Sequence, residues 1–235
     1  MPKTDKVTPV TSRISPWLSP LLYFVGRYFL PFYFGQLNFT GQENLPRTGP
    51  VILASTHRSR WDGLILAYAT GRLVTRRDLR FIVSANETGG LQGWFVRRMG
   101  GFPLDPEHPG FSSLRHSVEL LCQGEALAIF PEGDIYRDGH VNPLKPGLAR
   151  IALQAQSHQS DSSVKIVPIS IDYAQVYPSC GCDVKVKIGS PMDVADYSHA
   201  SAKKSAPKLT ADLEAILKEL HEERVSQNSL PTPTA

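Results

Sequence analysis

The sequence has few cysteines and no complete set of metal-ligand spacings. Cys122, Cys180 and Cys182 are the three cysteines in 235 residues. An odd count in a chain of this size argues against a disulfide framework and is typical of reduced thiols in a cytoplasmic-type compartment. Cys180 and Cys182 have the spacing of half a metal site. No second Cys/His pair accompanies them, so a turn is favoured and no metal is predicted.

Charge and hydrophobicity exclude further classes of protein. The formal net charge of +3 is too weakly basic to predict a nucleic-acid partner, but it suits an anionic membrane surface or acidic substrates. No apolar run reaches the roughly 20 residues that a membrane-spanning helix needs. The G-x-S-x-G nucleophile motif of an α/β hydrolase is absent as well. The apolar content of 41% is that of a globular protein.

The N-terminal segment combines a basic stretch with an aromatic one. Residues 1–16 carry three prolines with lysine and arginine and are predicted to be a disordered basic arm. Residues 17–37 begin WLSPLLYFVGRYFLPFYF, in which Arg27 would cost about 2.5–3.5 kcal/mol at the centre of a spanning helix. Pro20 and Pro31 count against both a span and a signal peptide. An interfacial helix on the cytoplasmic face of a membrane is favoured over a helix packed in the core.

From residue 38 onward, short apolar runs alternate with helix-length segments. Strands are predicted at 51–55, 80–85, 101–105, 126–130, 165–173 and 184–188, and helices at 61–71, 91–99, 111–122 and 145–156. This alternation predicts an α/β fold, with a mainly parallel central sheet flanked by helices and a membrane-associating helical element before it. The main domain is placed at 38–200. Residues 201–235 are predicted to form a charged helix, over 210–225, and a disordered tail. Pro168 inside a strand predicts a sheet edge or a bulge.

A histidine and an aspartate follow the first of these strands. His57 and Asp62 have an H-x4-D spacing, in a loop that leaves the carboxyl end of a strand, where α/β sheets bind ligands. An aspartate at a helix start can accept a hydrogen bond from one imidazole nitrogen. The other nitrogen is then left as a base for a substrate hydroxyl. Because chance alone often supplies this spacing, it fits a helix-capping Asp62 beside a surface histidine as well.

A tight turn follows the strand 126–130. Its sequence, Phe-Pro-Glu-Gly-Asp, ends the strand and exposes backbone amides around Glu132 and Gly133. Arg137 and Lys145 come after it, and cations beside bare backbone amides suit a phosphate. An ordinary strand–turn–helix with a solvated Lys145 explains the same residues.

The order of these blocks resembles a known family. HRSRWD, FPEG about 75 residues later, LKPGLARIA and IVPISI resemble the lysophosphatidic acid acyltransferases (1-acylglycerol-3-phosphate O-acyltransferases) and their glycerolipid acyltransferase relatives, over about 40–190. The resemblance implies that His57 is the catalytic base, that Asp62 orients it, and that Glu132 and Gly133 belong to the acceptor-binding block. It implies a lysophospholipid acceptor, an acyl donor carried by coenzyme A or acyl-carrier protein, a membrane surface as partner, and no bound cofactor. Lys145 matches the lysine of a Lys-x-Gly element.

The sequence also departs from that family. FPEG is usually followed by Thr or Ser and then Arg, whereas here 134–136 intervene before Arg137. The second block usually ends in an arginine, whereas here it continues into Pro106 and Glu107. With Arg137 and Lys145 as substrate-binding cations, the expected acceptor is 1-acylglycerol-3-phosphate, which would give phosphatidic acid. Glycerol 3-phosphate or another lysolipid is the alternative acceptor. A non-catalytic lipid-binding module on the same fold is the remaining alternative. Contact with a membrane surface or with coenzyme A phosphate would explain the remaining basic cluster, and a solvated helix face is the alternative; the cluster is Arg72, Arg76, Arg77, Arg80, Arg97 and Arg98.

Overall fold

The computed structural model describes residues 12–84, 90–104, 111–159, 162–198 and 201–228, in which strands and helices alternate along the chain. The strands are β1 (Leu37–Thr40), β2 (Val51–Ser55), β3 (Leu79–Ser84), β4 (Gly101–Leu104), β5 (Ala126–Ile129), β6 (Lys165–Tyr173), β7 (Val184–Ile188) and β8 (Met192–Asp193). The helices are α1 (Leu18–Tyr33), α2 (Asp62–Thr70), α3 (Arg72–Thr75), α4 (Gly90–Arg98), α5 (Phe111–Cys122), α6 (Gly147–Gln156) and α7 (Ala202–Asn228). Short 3₁₀ helices lie at Gln42–Asn44 and Val194–Tyr197.

One eight-stranded sheet contains all of these strands. Its order is β1-β7-β6-β2-β5-β3-β4, and β8 also pairs with β6. The pairs β1–β7, β2–β5, β2–β6, β3–β4 and β3–β5 are parallel, whereas β6–β7 and β6–β8 are antiparallel. The predicted α/β fold with a mainly parallel sheet and flanking helices is therefore confirmed.

The central strands are buried on both faces of the sheet. In β2, Ile52 faces the cluster formed with α5, α6 and α7, while Leu53 faces the cluster formed with α1 and α2. All five residues of β2 are buried, as expected for a parallel strand that is covered on both sides. The run of β-branched and aliphatic residues at 51–55 is the sequence signal of this position.

Pro168 lies in an interior strand, so the prediction of a sheet edge was wrong. On one side, β6 pairs with β2, and Pro168 is in register with Ala54. On the other side, β8 pairs as far as Ile166 and β7 pairs from Ile169 onward. Pro168 lies between these two pairings, where the ladder needs no N–H donor, and its carbonyl accepts a hydrogen bond from Gly189 N at 2.9 Å.

The described part of the N-terminal arm is held on the domain. Ile14 forms a β-bridge with Met99, and Ser15 N donates to Arg98 O at 2.9 Å. The prediction of a disordered arm was therefore wrong for 12–16, and residues 1–11 lie outside the described part. Ile14 and Ser15 gain backbone partners from the end of α4 that the composition of the arm does not reveal.

Helix α1 has one face on the domain and one face in solvent. Leu30 and the following Phe34 belong to the core cluster on the α2 side of the sheet. Tyr33 and Phe34 also pack on Trp61, with ring centroids 4.9 and 5.4 Å apart. Within the described ranges, no helix is both long enough and apolar enough to cross a membrane.

Helix α7 is longer than predicted and is amphipathic. It begins at Ala202 rather than at 210, and it continues to Asn228, into the predicted tail; 229–235 lie outside the described residues. Leu209, Leu213 and Leu217 are fully buried against the sheet and α6. This packing outweighs the helix-breaking tendency of Pro207, which lies in the second turn.

Candidate active site

Three neighbouring strands deliver the candidate residues to one edge of the sheet. β6, β2 and β5 are adjacent and parallel, so their carboxyl ends lie side by side. His57 follows β2, the FPEG turn follows β5, and Tyr173 is the last residue of β6. His57 N donates to Glu132 Oε1 at 3.2 Å, which joins the first two directly. The histidine and the Pro-Glu-Gly turn therefore share one site.

His57 and Asp62 form the hydrogen bond that the spacing predicts. His57 Nδ1 lies 2.8 Å from Asp62 Oδ2. The backbone amides of Arg58 and Ser59 donate to the same oxygen at 2.5 and 2.8 Å. Because a carboxylate only accepts, the proton of the neutral imidazole lies on Nδ1, and Nε2 keeps a free lone pair. The Asp62 side chain is fully buried, whereas that of His57 is 21% exposed, so the ring is open to a substrate.

Tyr173 is a third member of this arrangement that the sequence reasoning missed. Its hydroxyl donates to Asp62 Oδ1 at 2.7 Å. Burial, together with the charge of Asp62, raises the pKa of Tyr173 far above its usual range, so the hydroxyl remains a donor at every working pH. Asp62 is thus hydrogen-bonded at both carboxylate oxygens, which keeps a buried charge satisfied.

The imidazole plane is also fixed by an aromatic contact. The rings of His57 and Phe130 stack with centroids 4.1 Å apart and an interplanar angle of 16°. Phe130 is the first residue of the FPEG turn, so this turn supports the ring directly. Together, the stacking and the Nδ1 hydrogen bond define both the position and the rotation of the imidazole.

Arg58 and Glu132 form a buried ion pair between the two sequence blocks. Arg58 Nη1 lies 3.0 Å from Glu132 Oε1, and the side chains are 6% and 0% exposed. Glu132 Oε2 accepts from Asn142 N at 3.0 Å. Both carboxylate oxygens of Glu132, the residue predicted to belong to the acceptor-binding block, therefore accept hydrogen bonds from the protein itself. Arg58 was not among the predicted site residues, because its partner lies 74 positions away in the sequence.

The segment 134–145, here called the site loop, folds back over this ion pair. Tyr136 N donates to His57 O at 2.9 Å. Arg58 Nη2 donates to His140 O at 2.8 Å, and Arg58 Nη1 also reaches His57 O at 3.1 Å. The site loop is therefore connected to the histidine block at several points.

Lys145 returns to the Pro-Glu-Gly turn, as a phosphate-binding cation there would require. Lys145 N donates to Pro131 O at 2.8 Å, and the exposed lysine side chain passes over Gly133. Gly133 has φ +79°, and a Cβ there would lie 2.6 Å from Lys145 Nζ. This left-handed conformation and the close approach both favour glycine.

Arg137 lies on the exposed side of the site loop. Its Cζ is 5.1 Å from the centroid of the Tyr177 ring, over which the guanidinium is stacked. Among the described residues, neither Arg137 nor Lys145 has a carboxylate partner, so both charges are available to an anionic ligand. Their contact with substrate stays a prediction.

Three of the remaining arginines are engaged at the opposite edge of the sheet. Arg72 pairs with Asp78, and Arg80 pairs with Glu125, at 2.5 and 3.0 Å. Arg77 donates to the carbonyl oxygens of residues 46, 49 and 124. These contacts surround the amino ends of β3 and β5, so the three arginines have protein partners and do not form a freely solvated face. Contact of the cluster with coenzyme A phosphate or a membrane surface stays a prediction. Pro106 and Glu107 lie outside the described residues.

The fold and the site define a class of α/β protein in which a carboxylate-held histidine lies at the carboxyl edge of a parallel sheet. The sequence profile of the Acyltransferase family matches residues 36–172, more than half of the chain, and the chain belongs to that family.

Individual proteins of known name agree with this assignment. The chain is 27% identical over 169 residues to a 1-acyl-sn-glycerol-3-phosphate acyltransferase of Streptococcus pneumoniae, across 69% of this chain and 58% of that protein's length. It is 29% identical over 193 residues to the Bacillus subtilis protein of the same name, and the match covers 79% of this chain and 88% of that protein's length. The crystal structure of the 1-acyl-sn-glycerophosphate acyltransferase of Thermotoga maritima superposes with a TM-score of 0.65 at 22% identity, covering 88% of this chain and 79% of that one, and shows the same fold.

Proposed function

We propose that this protein is a membrane-surface O-acyltransferase that moves a fatty acyl group from a thioester to the free hydroxyl of a lysophospholipid. The donor is acyl-coenzyme A or acyl-carrier protein, and the acceptor is 1-acylglycerol-3-phosphate, which gives phosphatidic acid. The observation that carries the proposal is the Nδ1-bound, partly exposed imidazole of His57, whose Nε2 is free to take a proton. The names of the relatives from Streptococcus and Bacillus support this acceptor.

In the proposed reaction, His57 Nε2 removes the proton of the acceptor hydroxyl as its oxygen attacks the thioester carbonyl carbon. An unaided hydroxyl is a poor nucleophile at neutral pH, so the base is essential. The carbon–oxygen bond forms, the tetrahedral intermediate collapses, and the carbon–sulfur bond breaks. The imidazolium then protonates the leaving thiolate. Asp62 stabilises the positive charge that His57 carries between the two transfers.

Acceptor recognition is assigned to the cations beside the Pro-Glu-Gly turn. Lys145 lies over Gly133, and Arg137 extends from the same loop, so a phosphate could be bound between ammonium, guanidinium and backbone. Glu132 has a positioning part, because its buried carboxylate is bonded to His57 N, Arg58 and Asn142 N.

Helix α1 is the proposed contact with the membrane. Its solvent-facing side exposes large apolar residues, including Trp17 at 61%, Phe24 at 59% and Phe32 at 85%. Such a face beside the exposed Arg27 suits the headgroup boundary of an anionic bilayer. We place the protein on the cytoplasmic face, where both thioester carriers are made available.

A panel of acceptors tests this function with purified protein and vesicles. The assay measures release of the free thiol from an acyl thioester with 1-acylglycerol-3-phosphate, glycerol 3-phosphate or a neutral lysolipid. We expect thiol release to depend on acceptor and to be fastest with 1-acylglycerol-3-phosphate. A preference for glycerol 3-phosphate would change the proposed acceptor but leave the proposed acyl-transfer reaction intact. Absence of acceptor-dependent release in every arm would support the non-catalytic lipid-binding module instead.

A further inference from the structure

The C-terminal helix α7 contacts the site loop, although it lies outside the region 36–172 that the family profile matches. Glu214 Oε2 accepts a hydrogen bond from Leu144 N at 3.0 Å. Two turns later, His221 Nε2 lies 3.1 Å from Gly139 O. Two residues of one helix therefore bond to the backbone of the site loop at two separate points.

His221 is held in the orientation that this contact needs. It is 3% exposed, and its Nδ1 lies 2.8 Å from Ser170 Oγ. A carbonyl oxygen only accepts, so the ring proton lies on Nε2 and Ser170 donates to Nδ1. His221 thereby connects the site loop to strand β6, which also carries Tyr173.

Glu214 is held in a similar way by its own helix. Lys218 Nζ donates to Glu214 Oε1 at 2.6 Å, and the other carboxylate oxygen is left for Leu144 N. The helix itself is a fixed support, because Leu209, Leu213 and Leu217 are fully buried against the domain.

The opposite side of the site loop contacts the candidate active site. His140 O accepts from Arg58, and Tyr136 N donates to His57 O. The loop 134–145 contains no helix or strand of its own, so its conformation depends on contacts from outside. It lies between α7 and the histidine block and is bonded to both.

We propose that Glu214 and His221 are positioning residues that hold the site loop, and with it Lys145 and Arg137, in the arrangement that binds the acceptor. The loop-holding contacts stand on the geometry alone, whereas their effect on acceptor binding rests on the proposed function. Neither side chain touches the reacting atoms. Their removal acts through the loop.

Hydrogen–deuterium exchange tests the loop-holding part without any substrate. In Glu214→Ala and His221→Leu, we expect the amides of 134–145 to exchange about tenfold faster, since each variant loses a partly buried hydrogen bond to the loop. Glu214→Gln and His221→Gln keep an acceptor and a donor and should retain most of the protection. Glu219→Ala removes an exposed carboxylate from the same helix and is the matched control. Unchanged exchange in the folded Glu214→Ala protein would overturn the proposal.

Steady-state kinetics test the consequence for the acceptor. We expect the acceptor KM to rise about tenfold in Glu214→Ala and His221→Leu, with the thioester KM changed less than about twofold and recovery in the glutamine variants. A merely stabilising role would leave the acceptor KM unchanged well below the melting temperature, and that result would refute the effect on acceptor binding. A wild-type protein without acyl transfer would refute the proposed function, while the exchange experiment would still decide whether α7 holds the loop.

Discussion

Tyr173 and Asp62 are joined by a 2.7 Å hydrogen bond that connects the end of β6 to the first residue of α2. The residues are 111 positions apart in the sequence, so the bond is a product of the parallel pairing of β2 with β6. It places a neutral donor on the carboxylate oxygen that His57 does not use. The orientation of the His57 imidazole therefore depends, through Asp62, on a residue from a different strand.

Replacing Tyr173 by phenylalanine tests this dependence. We expect kcat/KM to fall about tenfold in Tyr173→Phe, because one donor to the buried Asp62 carboxylate is lost while the ring stays in place. Thiol-release kinetics measure the effect. Tyr197→Phe is the control, since Tyr197 makes the same kind of bond, 2.8 Å to Asp212 Oδ2, on another part of the molecule. Equal kcat/KM values for the two variants would show that the Tyr173 hydroxyl does not contribute to the reaction.

Loss of the imidazole tests the base itself. We expect His57→Ala to lower the rate of acyl transfer by about two to four orders of magnitude. The ring is partly exposed, so the variant should fold, with a circular dichroism spectrum and melting curve close to those of the wild type. His158→Ala, at an exposed position at the end of α6, should keep full activity. Near wild-type turnover in His57→Ala would require another base.

The buried ion pair predicts a large and non-additive effect on stability. Removing one partner leaves an uncompensated buried charge, so Arg58→Leu should lower the free energy of unfolding by about 3–5 kcal/mol. Arg58→Leu combined with Glu132→Leu should cost less than the sum of the single changes. Urea unfolding measures these values. Arg115→Leu, in an exposed pair with Glu119, should cost within about 0.5 kcal/mol. A similar small loss for Arg58→Leu would contradict a buried, paired guanidinium.

The contact between Gly133 and Lys145 predicts a loss of activity beyond the loss of stability. Alanine at either Gly133 or Gly124 must adopt a left-handed backbone, at about 1–2 kcal/mol. Only at Gly133 does the added Cβ displace the lysine, because nothing lies within 4 Å of a Cβ at Gly124. We expect equal shifts in melting temperature but a raised acceptor KM in Gly133→Ala alone. Identical kinetics in both variants would show that Lys145 does not contribute to acceptor binding.

Vesicle flotation tests the membrane contact of α1. Replacing Phe24 and Phe32 by serine should weaken partitioning to anionic vesicles by about tenfold or more, because two exposed aromatic side chains no longer enter the lipid. Serine at the exposed Ala211 and Ala215 of α7, on the other face of the sheet, is the control. Unchanged flotation of the phenylalanine variant would exclude this face as the anchor.

Much of the fold could be predicted because its strands carry strong local signals. The bounds 51–55, 165–173 and 184–188 are confirmed to the residue, since each segment is a run rich in β-branched and aliphatic residues. β1 and β8 were not predicted, because short strands of mixed polarity are recognisable only from the neighbours they pair with.

The site could be predicted only as far as its motifs extend. His57 and Asp62 are five positions apart in one loop, so their hydrogen bond could be predicted from the spacing. Arg58 and Tyr173 contribute through contacts with residues that are far away in the chain, which neither composition nor spacing reveals. Two prolines led to wrong predictions, a sheet edge at Pro168 and a late start of α7 after Pro207, for a related reason. Pro168 and Pro207 are tolerated because of pairing and packing that surround them in three dimensions.

The aromatic contact of α1 with Trp61 has a mechanical consequence. Trp61 is the residue directly before Asp62, and its ring packs on Tyr33, the last residue of α1, and on the following Phe34. Through this contact, the end of α1 is packed directly on the loop that carries His57 and Asp62. Under the proposed function, the insertion depth of this helix determines the distance between the His57 imidazole and the lipid phosphates. That distance in turn limits which acceptor hydroxyls the imidazole can reach while the lipid stays in the leaflet.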